Sequence, residues 1–85
     1  MDKYEVAQRA SALPARFAER VTPDTLESIR LMEEGGEYEE LTIELAASLA
    51  AHNTPVTKAE RDELLALLEA MNMPTDPIGT LNVQG

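Results

Sequence analysis

Helix breakers punctuate this chain at short intervals, and they limit how long any helix in it can be. Pro14, Pro23, the pair Gly35-Gly36, Pro55, Pro74 and Pro77 leave only short stretches between them. Proline removes a helical donor and restrains the residue before it, while glycine accepts the left-handed backbone that ends helices. The stretches between are dominated by Leu and Ala, which favour helix. With one Phe, two Tyr and no Trp, the aromatics that favour strands are scarce. An all-α fold is expected. Eighty-five residues fill one core and not two, so the chain should form a single small domain.

The first helix should start at Asp2, a good N-cap, and reach about Ala12, with Tyr4, Ala7, Ala10–Ser11 and Leu13 on its inner stripe. Pro14 to Arg20 should restart as a short helical turn with Phe17 facing inward. Thr22-Pro23-Asp24 opens the second helix with a capping hydroxyl, a proline at the first position and a carboxylate near the positive helix end. Leu26, Ile29 and either Arg30 or Glu33 mark its face, with Met32 adjoining it, and Gly35-Gly36 ends it. The third helix should run from about Glu37 to His52, with Tyr38, Leu41, Leu45, Ser48–Leu49 and His52 in one stripe, widened by Ile43 and Ala46. So short a connection implies an antiparallel hairpin. Thr57-Lys58-Ala59-Glu60 fits a capping box ahead of Leu64, Leu67, Leu68 and Met71. The expected fold is therefore a small antiparallel bundle of about four helices with short turns over residues 1–73. Residues 74–85, which have no helical period, should form an extended or disordered tail.

Charge is unevenly placed. The formal net charge is −9, from seven basic and sixteen acidic residues. Residues 1–30 hold equal numbers of each sign, whereas beyond them only Lys58 and Arg61 are basic. Glu33, Glu34, Glu37, Glu39, Glu40 and Glu44 crowd around the glycine turn. Such a field repels nucleic acid, whose binding needs Lys and Arg to displace counterions. It accelerates encounter with a basic protein surface instead. These six glutamates and Tyr38 are the candidate partner-binding residues. Tyr38 has a second reading as an anchor of the hairpin core, and part of the glutamates one as an ordinary solvated face.

Catalytic and cofactor chemistry is not expected. There is no Cys, and the single His, His52, falls in the last turn of a helix, where the dipole favours it. Zinc needs three or four ligands of a kind this chain lacks. No stretch has the spacing of a calcium loop, and Gly35-Gly36 lacks the Lys-Ser/Thr of a phosphate loop. Paired carboxylates are common here, but a chain this short with so few aromatics does not readily wall a cleft around them. Acyl carrier proteins are also small acidic helical bundles. Leu26-Glu27-Ser28-Ile29 is the nearest approach to their Asp-Ser-Leu attachment sequence, and it places Ser28 inside a helix rather than at its start. The opening Met1-Asp2-Lys3-Tyr4-Glu5 leads into no apolar run, and Leu41 to Ala51 is too short and too interrupted to span a bilayer. A cytoplasmic protein with no membrane partner is expected.

One further pattern spans residues 13–73. Leu13-Pro14 and Phe17 precede the second helix. That helix and its turn read Ile29-Arg30-Leu31-Met32-Glu33-Glu34-Gly35-Gly36-Glu37-Tyr38-Glu39-Glu40-Leu41, followed by Leu45 and Leu49. Then come Asn53-Thr54-Pro55-Val56-Thr57-Lys58-Ala59-Glu60 and a last helix ending Leu64-Leu65-Ala66-Leu67-Leu68-Glu69-Ala70-Met71-Asn72-Met73. This arrangement resembles the MafI-like family of small helical bacterial immunity proteins. The resemblance implies an antitoxin that binds a cognate polymorphic toxin domain, for which a basic, nuclease-like domain would suit the acidic turn. The competing expectation is a non-catalytic helical adaptor or assembly subunit that docks by an apolar face, with Ala46 to Ala51 allowing close helix approach. Monomer and dimer are both compatible with the sequence.

Overall fold

The computed structural model describes residues 1–85 throughout. It is mostly helical, with α1 (Lys3–Ser11), a five-residue α2 (Leu13–Phe17), α3 (Pro23–Glu34), α4 (Tyr38–Ala51) and α5 (Lys58–Ala70). Two short strands, β1 (Pro55–Thr57) and β2 (Asn82–Gln84), and a 3-10 turn (Asp76–Thr80) complete it. No helix is long and apolar enough to cross a membrane.

The helix starts follow their caps. The Asp2 carboxylate accepts the Glu5 N–H at 2.7 Å, and the Thr22 hydroxyl accepts the Thr25 N–H at 3.2 Å. At α5 both halves of the capping box form. The Thr57 hydroxyl accepts from the Glu60 N–H at 3.0 Å, and the Glu60 carboxylate accepts from the Thr57 N–H at 2.9 Å. Three helix ends share one device. After α3 the Glu37 N–H reaches back to the Met32 carbonyl and the Gly36 N–H to that of Glu33, with Gly36 at φ +70°. Asn53 (φ +51°) after α4 and Asn72 (φ +57°) after α5 occupy the same left-handed position, with the same pair of backbone bonds. This is the Schellman arrangement, which satisfies the last carbonyls and turns the chain sharply.

Helix α4 lies at the centre. Leu41, Leu45, Ala46 and Leu49 are fully buried, and they share one core with Val6, Leu13, Phe17, Ile29, Val56, Leu64, Leu67, Leu68 and Ile78. Thr42 is the one buried polar side chain, and its hydroxyl donates to the Tyr38 carbonyl at 2.8 Å.

The structure departs from the sequence expectations in three places. In α1 the inner face is Val6 and Ala10, and Tyr4 stands 76% exposed. A short helix with apolar residues at positions 4, 6 and 7 admits two phases of the stripe, and packing selects the one that buries the valine. At the end of α4, His52 is exposed rather than part of the buried stripe, its Nδ1–H donating to the Ser48 carbonyl at 2.9 Å. The third concerns residues 74–85, expected as an extended or disordered tail in an all-α chain. They fold back instead. The 3-10 turn lies against α4 with Ile78 buried, and β2 pairs in parallel with β1, Val83 opposite Val56. The Asn82 side-chain amide donates to the Asn53 carbonyl at 3.2 Å and ties the strand to the end of α4. A parallel pair with a helical crossover between its strands satisfies backbone groups that a free tail would leave to water.

Candidate functional site: the acidic turn between two helices

The seven candidate residues lie on the last turn of α3, the Gly35–Glu37 connection and the first half of α4. The sharp reversal at Gly36 starts α4 two residues later, so both helix ends contribute side chains to one turn. Glu34, Glu37, Glu39 and Glu40 are exposed, while Glu33, Tyr38 and Glu44 are half-buried.

None of the six carboxylates has a cationic partner or makes a hydrogen bond. The ion pairs of the chain are Arg9 with Glu5 and Glu63, Arg20 with Glu60, and Arg61 with Asp62. All lie on α1, the turn after α2, and α5. Arg30 stands one helical turn before Glu33 and Glu34, yet it pairs with neither. The order Arg before Glu along a helix is the less favourable one.

Helix geometry divides the glutamates. Glu39 and Glu40 occupy the first turn of α4, where the positive end of the helix dipole favours them. Glu37, the residue at the cap itself, makes no side-chain capping bond. Glu33 and Glu34 occupy the last turn of α3, which carries no basic residue. There the dipole opposes them, at a cost of about 0.3–1 kcal/mol each. Glu40 and Glu44, one turn apart on α4, repel one another weakly.

Two grooves flank the turn. Glu40 and Glu44 border a shallow, open one between α3 and α4, with Thr25, Met32 and Ile43 along it and His52 at its far end. Tyr38 and Glu39 border the other, a groove of about 400 Å³ between α1, the turn and the end of α5. The sequence-derived set is thus continuous along the chain but opens onto two sides of α4. Tyr38 walls its groove, and its hydroxyl makes no hydrogen bond within the chain. Lys3, Val6, Ala7 and Met71, which share that groove, were not among the candidates, because nothing local in the sequence places α1 beside the α3–α4 turn.

Other chemistry-bearing groups are dispersed. No group of three or more His, Cys, Asp or Glu side chains is placed to hold a metal ion. Ser28 is half-buried in the middle of α3. The one carboxyl moved far from its ordinary value is Glu60, brought down to about 2. The Arg20 hydrogen bonds are the main cause, partial burial opposes them, and the Thr57 N–H adds to the lowering. Arg20 is correspondingly raised by the same hydrogen bonds. Its guanidinium donates to both Glu60 oxygens, at 2.8 and 2.6 Å, and lies over the Phe17 ring at 4.4 Å. That pair joins the end of α2 to the start of α5 and belongs to the fold.

Compared with protein-family models, curated proteins and solved structures, the chain matches none of them.

Proposed function

We propose that this protein is a non-catalytic, cytoplasmic immunity protein that neutralises a bacterial toxin domain by covering a basic surface on it with the α3–α4 turn. The observation that carries the reading is the set of six unpaired glutamates at that turn, two of them at a helix end that disfavours them. Charge kept where it costs stability and has no partner within the chain is charge available to another molecule. Its sign suits a nuclease-like toxin, whose cleft must be basic to hold nucleic acid. Antiparallel packing of α3 on α4, inferred from the three-residue connection, presents both helix ends to the partner together. The resemblance of residues 13–73 to MafI-like immunity proteins points the same way.

The adaptor alternative needs the Ala-rich face of α4 free. The 3-10 turn sits beside that face, where Ala47, Ala50 and Ala51 border a shallow depression with Asp76, Pro77 and Thr80. Ala47 and Ala51 stay exposed there, so the preference for the acidic turn rests on its unpaired glutamates.

Co-expression with a candidate toxin domain tests the proposal. The native chain should restore growth, and the variant carrying E33K, E34K, E37K and E40K should not while remaining folded. Equal rescue by the two would remove the acidic turn from the mechanism.

A further inference from the structure

The groove between α3 and α4 differs from the one beside Tyr38 in the charge along its rim. Glu40, Glu44 and His52 border it, and no Lys or Arg does. Neither glutamate has a cationic partner within the chain. The His52 Nδ1–H is committed to the Ser48 carbonyl, which in the neutral ring leaves Nε2 as an acceptor. The rim thus offers acceptors at three places along α4. A guest that satisfies them must bring donors, and a cationic one gains from both carboxylates as well.

Shape decides the form of that guest. The groove follows α4 from Glu40 to His52, about 18 Å at 1.5 Å per residue. Met32 and Ile43, both half-buried against the core, give it an apolar lining. The small side chains of Ala47 and Ser48 leave room for another backbone to come close. Both walls are helices, whose backbone groups are bonded internally, and no strand edge borders the groove. An extended guest would therefore find no backbone partners there, whereas a helix brings its own.

We infer that this groove receives an amphipathic helix of the partner, its apolar face against Met32 and Ile43 and its Arg or Lys side chains on Glu40 and Glu44. The inference rests on the proposed acidic-turn function and adds to it the form of the partner's contact and the side of α4 that it takes. Glu40 and Glu44 stand one helical turn apart, so a helix laid along α4 meets them with cations at the same spacing. The two carboxylates then steer and orient the encounter, and the apolar contact sets how long the complex lasts.

Three blocked peptides test this by NMR titration of the full chain. The first, Arg-Ala-Gln-Leu-Arg-Ala-Ala-Leu-Arg-Ala-Leu-Arg-Ala-Ala, carries a Leu stripe flanked by Arg when helical. The second has its central Ala-Ala replaced by Ala-Pro, which keeps the charge and breaks the helix. The third has every Arg replaced by Gln. The first should bind about tenfold more tightly than either of the others, the factor expected for burying about one Leu side chain. Its largest amide shifts should fall at Met32, Ile43, Ala47 and Ser48. Ala47→Arg, at an exposed residue that borders the groove, should remove its advantage over the proline peptide. Equal, salt-sensitive binding of the two Arg peptides, with shifts confined to the glutamates, would overturn the helix inference and leave the acidic-turn function standing. Equal binding of the Gln peptide would overturn the requirement for cations. Absence of binding by either Arg peptide would overturn both readings.

Discussion

Two regions of this molecule handle carboxylates in opposite ways. Around α2, β1 and α5, Glu60 is held by a two-point pair with Arg20, accepts the Thr57 N–H and sits with its side chain 14% exposed. Arg20 in turn stacks on Phe17 and donates to the Pro55 carbonyl at 3.4 Å. One glutamate thus closes a capping box and joins elements 40 residues apart in sequence. At the α3–α4 turn six glutamates make no bond at all, and two of them stand against the helix dipole. The contrast separates charge that holds the fold from charge that the fold only displays.

The largest stability effect should come from the first region. Glu60→Ala removes the returning half of the capping box and leaves Arg20 without its acceptor, a loss of about 3 kcal/mol. Arg20→Ala should cost somewhat less, and the double variant should cost less than the sum, because both changes break one pair. Urea unfolding of the four proteins gives the coupling directly.

Next in size is the effect of charge reversal at the turn on binding. E33K, E34K, E37K and E40K together should weaken binding to the proposed toxin partner by about 100-fold, since juxtaposed like charges cost several kcal/mol. Added salt should reduce the difference between native and variant, as calorimetry or surface binding at two ionic strengths would show.

Acid should act on the first region in a defined window. The Glu60 carboxyl stands at about 2 in the folded chain, against an ordinary 4.5. Because the folded value is the lower one, its stabilisation is complete above about pH 4.5 and is lost as pH falls towards 2. The stability difference between the native chain and Glu60→Gln should therefore shrink across that window and stay constant above it. A difference that persists unchanged at pH 2 would mean that the Arg20 pair does not set the Glu60 ionisation.

A smaller effect is expected at the hinge of the second region. Gly36 sits at φ +70°, and a Cβ there would meet nothing within 4 Å. Gly36→Ala should thus cost only the backbone strain, about 1 kcal/mol, with no steric clash. Thermal melting would register it as a fall of several degrees.

What the sequence reveals about these regions follows from how local each feature is. The N-caps at Asp2, Thr22 and Thr57 and the turn at Gly36 rest on contacts within five residues, and they are readable. The left-handed ends at Asn53 and Asn72 use the same geometry, but asparagine signals it less sharply than glycine. The strand pair Val56–Val83 and the Arg20–Glu60 clasp join distant parts of the chain, and no periodicity encodes either. Residues 76–84 look featureless because a 3-10 turn and a three-residue strand are too short to carry a pattern. For the turn itself, the crowding of glutamates is visible in the sequence. Their division between two grooves depends on where α1 and α5 pack and is not.

The distinction between the two regions is tested most directly by the unfolding free energy of the variant with Glu33, Glu34, Glu40 and Glu44 all changed to Gln, measured in urea at neutral pH and low salt. Relief from the α3 dipole and from mutual repulsion should outweigh the favourable α4 dipole lost at Glu40, leaving it equal to the native protein or more stable by about 1 kcal/mol. A variant less stable than native by more than about 1 kcal/mol would show that these carboxylates serve the fold, and the acidic turn would no longer be surplus charge held for a partner.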